Sequence, residues 1–347
     1  MQLIRLCDKT MSLLFEKTFD LWGQTMKMNI PLLALDIGGS KLMAAIVYVE
    51  RDNVSRNLTP HVRQKSHRVL APSTTIDELM QEIDSAVNEV FDAAKMAKCD
   101  IEVIGVNVPG LADPAAGLWV YACFSGIRDF PIAEIIGKNY GKPVYIENDV
   151  NACALAEKYF GACRETDDFL WVTVSNGVGG GLVLRGDIFS GSFGNAGEIG
   201  HFCVEENAAE AIRCGCRNWG CLEAQAAGPG IAKRYKKQTG KDETAVNLAI
   251  LAKQGDKVAV SVFEKTGYYL GRAIAASVNL INPGKVILGG GVSQSFELFG
   301  PELEKTVRRQ MFRAANEQLV IEPTHLGNDA ALFGATAIAF RGLNGGI

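Results

Sequence analysis

Long apolar runs, an excess of basic residues and a high proline content are all missing from this sequence. No stretch approaches the ~18 uninterrupted apolar residues that a membrane-spanning helix requires, so we expect no membrane partner. The 35 lysines and arginines are outnumbered by 39 aspartates and glutamates, which argues against nucleic acid as the main partner. Only 11 of the 347 residues are proline and 48% are hydrophobic, so a disordered chain is excluded and the length suggests roughly two domains.

A signal peptide is also missing from the start of the chain, which makes a reducing, cytoplasmic location the default expectation. The nine cysteines are an odd number, and in such a compartment a tight cysteine cluster more often binds a metal than forms disulfides. Residues 1–29 precede the first convincing strand. We interpret them as an N-terminal extension, which is either a short added helix or an upstream start that adds no element to the fold.

Predicted strands and helices alternate along the chain, and one unit occurs twice. Residues 32–36 and 169–174 are buried strands, and each runs into a glycine-rich turn and a second strand. Between them, Thr75-Ile76-Asp77-Glu78 has the form of a capping box and introduces a helix with apolar residues at helical spacing. In the second half, the glycine-rich turn is expected over the six residues 175–180, and one helix is expected near residues 223–238. The alternation predicts an α/β fold with covered sheets, and the repeated hairpin predicts two domains of related architecture.

Three glycine-rich turns follow predicted strands: Asp36-Ile37-Gly38-Gly39-Ser40-Lys41, Ser175-Asn176-Gly177 and Gly289-Gly290-Gly291. The first is not a Walker loop, because it lies in a hairpin turn and lacks the GxxxxGK[ST] pattern. Its unshielded N–H groups can hold phosphate oxygens, and Asp36 can help to hold Mg²⁺ through the water shell of the ion. An ordinary hairpin turn is the alternative for each, but three turns able to converge on one cleft favour a phosphate site.

The segment Glu147-Asn148-Asp149 closes a predicted strand and opens a helix. Helix capping alone explains Asn and Asp at this place. The functional alternative is a carboxylate at the carboxyl end of a central strand, where α/β proteins bind their ligands. Such an aspartate can accept a proton from a hydroxyl group whose oxygen attacks phosphorus.

His201 and three closely spaced cysteines form the most specific feature of the sequence. Together with Cys214, Cys216 and Cys221, His201 supplies the full ligand set for a closed tetrahedral zinc site. Because no position remains for water, one structural zinc ion is predicted, whose binding fixes the loop. A group of buried free cysteines is the alternative, and Cys203 lies close enough to be a spare ligand.

In this order, the motifs resemble those of the ROK sugar kinases, and they look most like the bacterial glucokinases of that family. The resemblance runs from about residue 31 to the end, and it also includes Val108-Pro109-Gly110, Glu198-Ile199-Gly200-His201 and the cysteine cluster through Glu223. It implies an α/β, actin-like (ribonuclease H-like) ATPase fold with two lobes that close over a hexose and ATP. The small lobe would comprise residues 30–146 with a C-terminal helix, 330–347, and the large lobe would comprise residues 147–329 with the zinc loop.

The resemblance also implies a role for each matching residue. Asp149 would be the catalytic base, and His201 would bind zinc with one ring nitrogen and the sugar with the other. The residues that would contact the sugar are Gly110, Asn148, Asp149, Glu198, His201 and Glu223. The residues that would bind ATP and its phosphates are Asp36, through Mg²⁺, and Gly38, Gly39, Ser40, Lys41, Ser175, Asn176, Gly177, Gly289, Gly290 and Gly291. A homodimer or a dimer of dimers is expected.

Three positions depart from the family pattern. Ser175-Asn176-Gly177 stands where Gly-Thr-Gly is frequent, and Arg217 stands where glycine commonly follows the second cysteine. Tyr121-Ala122-Cys123-Phe124 replaces an asparagine-containing stretch that often borders the sugar. The last difference leaves the identity of the hexose open.

The first functional hypothesis is an ATP-dependent hexokinase that phosphorylates the 6-hydroxyl of a hexose, with glucose as the first choice. Within the same chemistry, the alternatives are a kinase for N-acetylmannosamine or another N-acetylhexosamine, and a fructose, mannose or allose kinase. A sugar-responsive regulator is less favoured, because it needs a DNA-binding module and 29 residues cannot form one. A chaperone or cytoskeletal ATPase gives no reason for the set Glu198, His201 and Glu223.

Overall fold

The computed structural model describes residues 29–51, 58–71, 74–122 and 126–344. Nearly all of the predicted N-terminal extension, residues 1–28, lies outside these ranges, and so do residues 123–125 of the stretch expected beside the sugar. Within the described ranges, no helix is both long and apolar enough to cross a membrane.

Thirteen strands in the described ranges form two five-stranded sheets and one three-stranded sheet. In chain order they are β1 (Asn29–Ile37), β2 (Lys41–Arg51), β3 (Leu58–Val69), β4 (Val103–Val108), β5 (Leu111–Asp113), β6 (Leu118–Ala122), β7 (Ile127–Phe130), β8 (Val144–Asn148), β9 (Phe169–Val174), β10 (Val178–Leu184), β11 (Asp187–Ile188), β12 (Lys285–Gly289) and β13 (Val320–Pro323).

The two large sheets have the same strand order, and both predicted hairpins are present in them. The first sheet runs β3-β2-β1-β4-β8 and the second runs β11-β10-β9-β12-β13. In each sheet the first three strands in chain order are antiparallel and the last two run parallel to the first. The carboxyl ends of β1, β4 and β8 therefore meet at one edge, as do those of β9, β12 and β13.

The helices of the described part cover these sheets. They are α1 (Ile76–Ala94), α2 (Ile132–Tyr140), α3 (Asp149–Tyr159), α4 (Leu222–Ala226), α5 (Gly228–Thr239), α6 (Ala245–Lys253), α7 (Lys257–Ile281), α8 (Phe296–Gln310) and α9 (Ala330–Leu343). The predicted capping box of α1 is confirmed, because Thr75 Oγ1 accepts from Glu78 N and the Glu78 carboxylate accepts from Thr75 N. This reciprocal pair satisfies two of the four unpaired N–H groups at the helix start.

The helix α9 returns from the end of the chain to pack against the first sheet and α3. A Cβ on Gly105 of β4 would lie 1.9 Å from the carbonyl oxygen of Ala335 in α9, so only glycine allows this approach. Likewise a Cβ on Gly334 would lie 2.7 Å from the backbone of Ala152 in α3. Glycine on both sides therefore lets α9 sit close to the strand and the helix that carry candidate site residues.

Two details of the predicted secondary structure are wrong. The helix expected over residues 223–238 is two helices, α4 and α5, because Ala227 is extended and Pro229 stands at the start of α5. The second glycine-rich turn is shorter than the six residues expected, since β10 already begins at Val178. Its later glycines lie in the strand, where Gly180 allows the backbone of Gly197 to approach: a Cβ on Gly180 would lie 2.6 Å from the Gly197 carbonyl oxygen.

Candidate functional site

Candidate residues meet at the carboxyl edge of the first sheet. Asp36 lies near the end of β1, Gly110 follows β4, and Asn148 ends β8. Gly110 has φ +86°, and a Cβ at this position would lie 2.2 Å from the carbonyl oxygen of Tyr121. The parallel pairing of the three strands thus brings together motifs that lie more than a hundred residues apart in the chain.

Asn148 joins the residues of this edge through its side chain. Its Oδ1 accepts from the N–H groups of Val150 (2.9 Å) and Asn151 (3.2 Å), so the amide caps α3. Its Nδ2 donates to the carbonyl oxygen of Gly110 and to Asp149 Oδ1, the latter at 3.0 Å. Asn148 thus caps α3 and contacts Gly110 and Asp149 in one arrangement, so capping does not exclude the functional interpretation, which stays a prediction.

Asp149 is the first residue of α3, and the pKa of its carboxyl group is raised towards neutral pH. Oδ1 accepts from Val150 N at 3.0 Å as well as from Asn148. Burial, and after it the nearby charge of Asp36, raise the pKa of Asp149 from 3.8 to about 7, against the lowering effect of these hydrogen bonds. A carboxylate with this pKa is suited to act as a general base.

Asp36 lies beside the first glycine turn and has an unsatisfied oxygen. The residue is 3% exposed, and its Oδ2 has no hydrogen-bond partner. Burial raises the pKa of Asp36, while Lys41, whose Nζ lies 3.9 Å from Oδ2, lowers it. The turn itself is closed by a bond from Gly38 N to Lys41 O at 2.7 Å, which leaves Gly39 and Ser40 exposed. A buried, unpartnered carboxylate oxygen fits a role in holding a hydrated Mg²⁺ ion.

The second and third glycine turns lie side by side at the edge of the second sheet. They follow β9 and β12, which pair in parallel up to Thr173 and Gly289. Gly290 has φ +86°, and a Cβ there would lie 2.5 Å from the carbonyl oxygen of Val174. Ser175 accepts at its carbonyl oxygen from Gly228 N, so α5 begins beside these turns. The structure thus brings two of the three predicted phosphate turns together.

The start of β10 connects the carboxyl edge of the first sheet with the residues of the second half. Val178 N donates to Glu223 Oε2 at 3.2 Å, and a Cβ on Gly200 would lie 2.0 Å from the Val178 carbonyl oxygen. The next residue, Gly179, faces Val150, whose Cγ2 would lie 3.0 Å from a Cβ at Gly179. Because Val150 follows Asp149 directly, the helix that begins with the candidate base and the side chain of Glu223 both approach the start of β10.

The four predicted zinc ligands form one cluster. The ligand atoms of His201, Cys214, Cys216 and Cys221 all lie within 4.8 Å of one another. Cys214 Sγ is 3.8 Å from His201 Nδ1, and Cys216 Sγ is 3.6 Å from Cys221 Sγ. Tetrahedral zinc with bonds of roughly 2.3 Å separates its ligands by about 3.8 Å, so the donor set fits the ion in number, type and spacing.

The three thiols of this cluster differ in the direction of their pKa shifts. Burial raises the pKa of Cys221 to about 12 and also raises that of Cys214. The backbone N–H of Asn218 lowers the pKa of Cys216. A divalent cation would supply the charge that turns the buried thiols into thiolates. Arg217, at the position where the family commonly has glycine, takes the left-handed conformation with φ +76°.

The two ring nitrogens of His201 face different groups. Its Nδ1 points to the cysteines, whereas Nε2 lies 3.7 Å from Glu198 Oε2 on the exposed side. Glu223 also borders the cluster, since its Oε1 lies 3.8 Å from Cys214 Sγ. The imidazole therefore lies between the cysteine cluster and the exposed carboxylate of Glu198.

Two buried side chains of the site were not singled out from the sequence. Glu147, 5% exposed, accepts at Oε1 from Asn148 N (2.9 Å) and Asn151 Nδ2 (3.2 Å) and so braces the start of α3. Asn107 lies opposite Asp36 across β1 and β4, and its Nδ2 donates to the carbonyl oxygen of Ala331 at 2.7 Å. An amide in the otherwise apolar run of β4 was the signal available for Asn107.

Two sheets of one strand order, packed in α/β layers with glycine turns at their strand ends, define the actin-like ATPase fold. More narrowly, the chain belongs to the ROK family, whose family model matches residues 32–341.

Relatives within the family include both enzymes and regulators. The chain is 30% identical to the glucokinase of Thermotoga maritima over 334 residues, which cover 91% of this chain and 99% of that one. It is also 30% identical to the DNA-binding transcriptional dual regulator NagC of Escherichia coli K12 over 300 residues, 84% of this chain and 73% of the regulator. The ROK hexokinase of Thermus thermophilus superposes with a TM-score of 0.75 at 30% identity, covering 92% of this chain and 100% of that one.

Proposed function

We propose that this protein is an ATP-dependent hexokinase that phosphorylates the 6-hydroxyl of a hexose, with glucose as its first substrate. The observation that carries the proposal is Asp149, whose pKa is raised to about 7 at the edge where Asn148 and Gly110 meet. A sensor that only binds sugar needs no carboxylate with this property. A base with a pKa near the working pH combines the correct ionisation state with a useful proton affinity.

In this proposal, the sugar is bound by side chains from both halves of the chain. Asn148 and Gly110 contribute from the first sheet, and Glu198, His201 and Glu223 contribute from the second half. Carboxylates accept hydrogen bonds, whereas the amide and imidazole N–H groups donate them, and a neutral polyol needs both. The structural zinc ion, held by His201 and the three cysteines, would aim the free imidazole nitrogen at the sugar.

The glycine turns would bind the phosphates of ATP and so place the γ-phosphorus within reach of the 6-hydroxyl group of the sugar. The N–H groups around Gly39, Gly177 and Gly290 are the donors, and the ammonium of Lys41 adds positive charge. Asp36 would hold Mg²⁺, which neutralises phosphate charge when bound. Asp149 removes the proton from the 6-hydroxyl as its oxygen attacks the γ-phosphorus, and the bond to the ADP oxygen breaks. The products are a hexose 6-phosphate and ADP.

We propose further that residues 30–146 together with residues 330–347 form one lobe and residues 147–329 the other, although Glu147 and Asn148 still pair with β4 as the end of β8. The C-terminal helix is described as far as Leu343, and residues 345–347 lie outside the described ranges. Closure of the two lobes would exclude water, which otherwise competes with the sugar as the attacking group. The packing of α9 against Gly105 in the first sheet supports assigning that helix to the first lobe.

A sugar-responsive regulator is the second candidate, favoured by the similarity to NagC. Measuring ADP release with a panel of hexoses and N-acetylhexosamines separates the candidates. A kinase releases ADP with its own sugar, and we expect the fastest release with glucose. If N-acetylmannosamine, fructose, mannose or allose stimulates ADP release instead of glucose, the protein is still a kinase but its substrate is that sugar. Sugar binding without ADP release in every case would favour the regulator.

A further inference from the structure

Beside the zinc loop, the side chain of Arg234 is buried where three helices meet. Arg234 belongs to α5 and is 6% exposed. Its Nη2 donates to the backbone carbonyl oxygen of Gln225 in α4. Its Nη1 donates to the carbonyl oxygen of Val262 in α7 at 3.1 Å and to Thr266 Oγ1 at 3.2 Å. The guanidinium therefore bridges the end of the short helix α4 to α7.

These three acceptors are uncharged, although removing a cation from water is costly. The ring of Tyr269 lies against the guanidinium, with the Arg234 Cζ 5.1 Å from its centroid, and offsets part of that cost. Burial lowers the pKa of Arg234 to about 10, so the group is still a cation at neutral pH. A planar fork of donors can hold two backbone segments at a fixed separation, which an apolar side chain cannot do.

The same buried network reaches the zinc loop from behind. Tyr269 OH donates to Glu205 Oε2 at 2.9 Å, and Glu205 N donates to the carbonyl oxygen of Gly220, which precedes the ligand Cys221. Gln225 Nε2 donates to the carbonyl oxygen of Glu210 inside the loop at 3.1 Å. The helices α5 and α7 thus support both the loop and α4.

The helix α4 has five residues and carries Glu223 in its first turn. Cys221, a zinc ligand in the proposed function, is the N-cap two residues before Glu223, and Gln225 lies two residues after it. We infer that Arg234 is a positioning residue, which fixes the far end of α4 and so aims the Glu223 carboxylate at the sugar. The inference rests on the proposed role of Glu223 in binding sugar. Zinc on one side and Arg234 on the other then hold a helix too short to be stable by itself.

The test is steady-state kinetics of the purified, zinc-loaded full chain carrying Arg234→Met, with zinc content and thermal unfolding measured on the same samples. We expect the hexose KM to rise by about tenfold, which corresponds to the loss of one charge-assisted hydrogen bond. The KM for MgATP should rise less than the hexose KM, because β9 and β10 also hold the Ser175–Gly177 turn, whose contact with α5 is the bond from Gly228 N to the Ser175 carbonyl oxygen. The zinc content should stay at one ion per chain.

Arg308→Met is the matched control. Arg308 also donates to backbone carbonyls of the second half, from Nη2 to Leu319 O at 2.6 Å and from Nη1 to Asn316 O at 3.3 Å, but it lies on α8 and has no bond to α4. Its substitution should lower the unfolding temperature and leave the hexose KM unchanged. An equal rise of the hexose KM in both variants would show general destabilisation and overturn the inference.

Arg234→Lys keeps the inference testable if the methionine variant does not fold. Lysine retains the charge but cannot reach both carbonyls in a planar fork, so we expect a smaller rise of the hexose KM in the same direction. A hexose KM unchanged by the lysine variant, or by a folded methionine variant, would overturn the inference if Glu223→Gln raises that KM. If Glu223→Gln also leaves it unchanged, the proposed role of Glu223 is wrong and the inference is overturned with it.

Discussion

Replacing Asp149 by asparagine should make the protein less active and more stable at the same time. Asparagine resembles the protonated carboxyl group in shape and charge, and its Oδ1 can still accept from Val150 N and Asn148 Nδ2. The substitution therefore removes the negative charge and the basicity and leaves the local hydrogen bonds. Without a base to take the hydroxyl proton, turnover should fall by about 10²–10⁴-fold, while sugar and ATP binding stay largely intact.

The gain in stability follows from the sign of the pKa shift. The pKa of Asp149 rises from 3.8 to about 7 on folding, so its protonated form favours the folded state. That contribution is complete below the unfolded pKa and is lost as the pH rises through about 7. Because Asp149 is only half-buried, water screens part of this effect, and we expect asparagine to stabilise the protein by about 1–3 kcal/mol at pH 8, or roughly 2–6 °C. The gain should shrink by about half at pH 5.

The assay combines thermal unfolding at pH 5 and pH 8 with turnover measured over the same range. Wild-type kcat/KM should rise with pH and level off above about 7, and at pH 5 it should be about hundredfold below the plateau. Asp92→Asn, which neutralises an exposed carboxylate on α1, is the control and should change neither quantity. A folded Asp149→Asn variant with near-normal turnover, or one that is destabilised equally at both pH values, would refute the reasoning.

Three further predictions test the metal, the nucleotide turn and the motion. Cys216→Ser should lose the zinc ion and raise the hexose KM, while Cys203→Ser keeps one zinc per chain by metal analysis; full activity of wild-type protein without zinc would contradict this. Gly290→Ala should raise the MgATP KM by tenfold or more, since its Cβ would meet the Val174 carbonyl at 2.5 Å, and cost roughly 1–3 kcal/mol of stability. Gly240→Ala, with φ +74° and open space around its Cβ, should be destabilising without that change in KM. Small-angle scattering should show a smaller radius of gyration with glucose than without it, and no change would argue against closure.

Local signals account for the parts of the fold that could be predicted from the sequence. The buried strand β9 is predicted by its apolar run and the helix α1 by its capping box, and each signal lies within a dozen residues. The edge strand β3 lacks such a signal, because most of its side chains are polar and both of its faces carry polar residues, so the sequence shows no regular alternation of apolar and polar residues. The strands β5 and β7 have three and four residues, too few for periodicity to be read.

Some residues of the candidate site could likewise be predicted from local sequence, whereas others could not. The four predicted zinc ligands lie within 21 residues of one another and belong to residue types with few other uses in that spacing, so their clustering in the structure was expected. Asn107 donates to the backbone carbonyl oxygen of Ala331. Arg234 donates to those of Gln225 and Val262. A backbone acceptor leaves no mark in the sequence, because every residue has one. Such positioning contacts can be identified only once the helices are in place.

The most direct test of the central claim is the formation of glucose 6-phosphate from ATP and glucose by the purified protein. The account predicts one hexose 6-phosphate for each ADP formed, slow ADP release without sugar, and loss of both in Asp149→Asn. ADP release at the same rate with and without every sugar would identify a plain ATPase. Tight sugar binding with no phosphorylated product would identify a sensor, and either result would contradict the account.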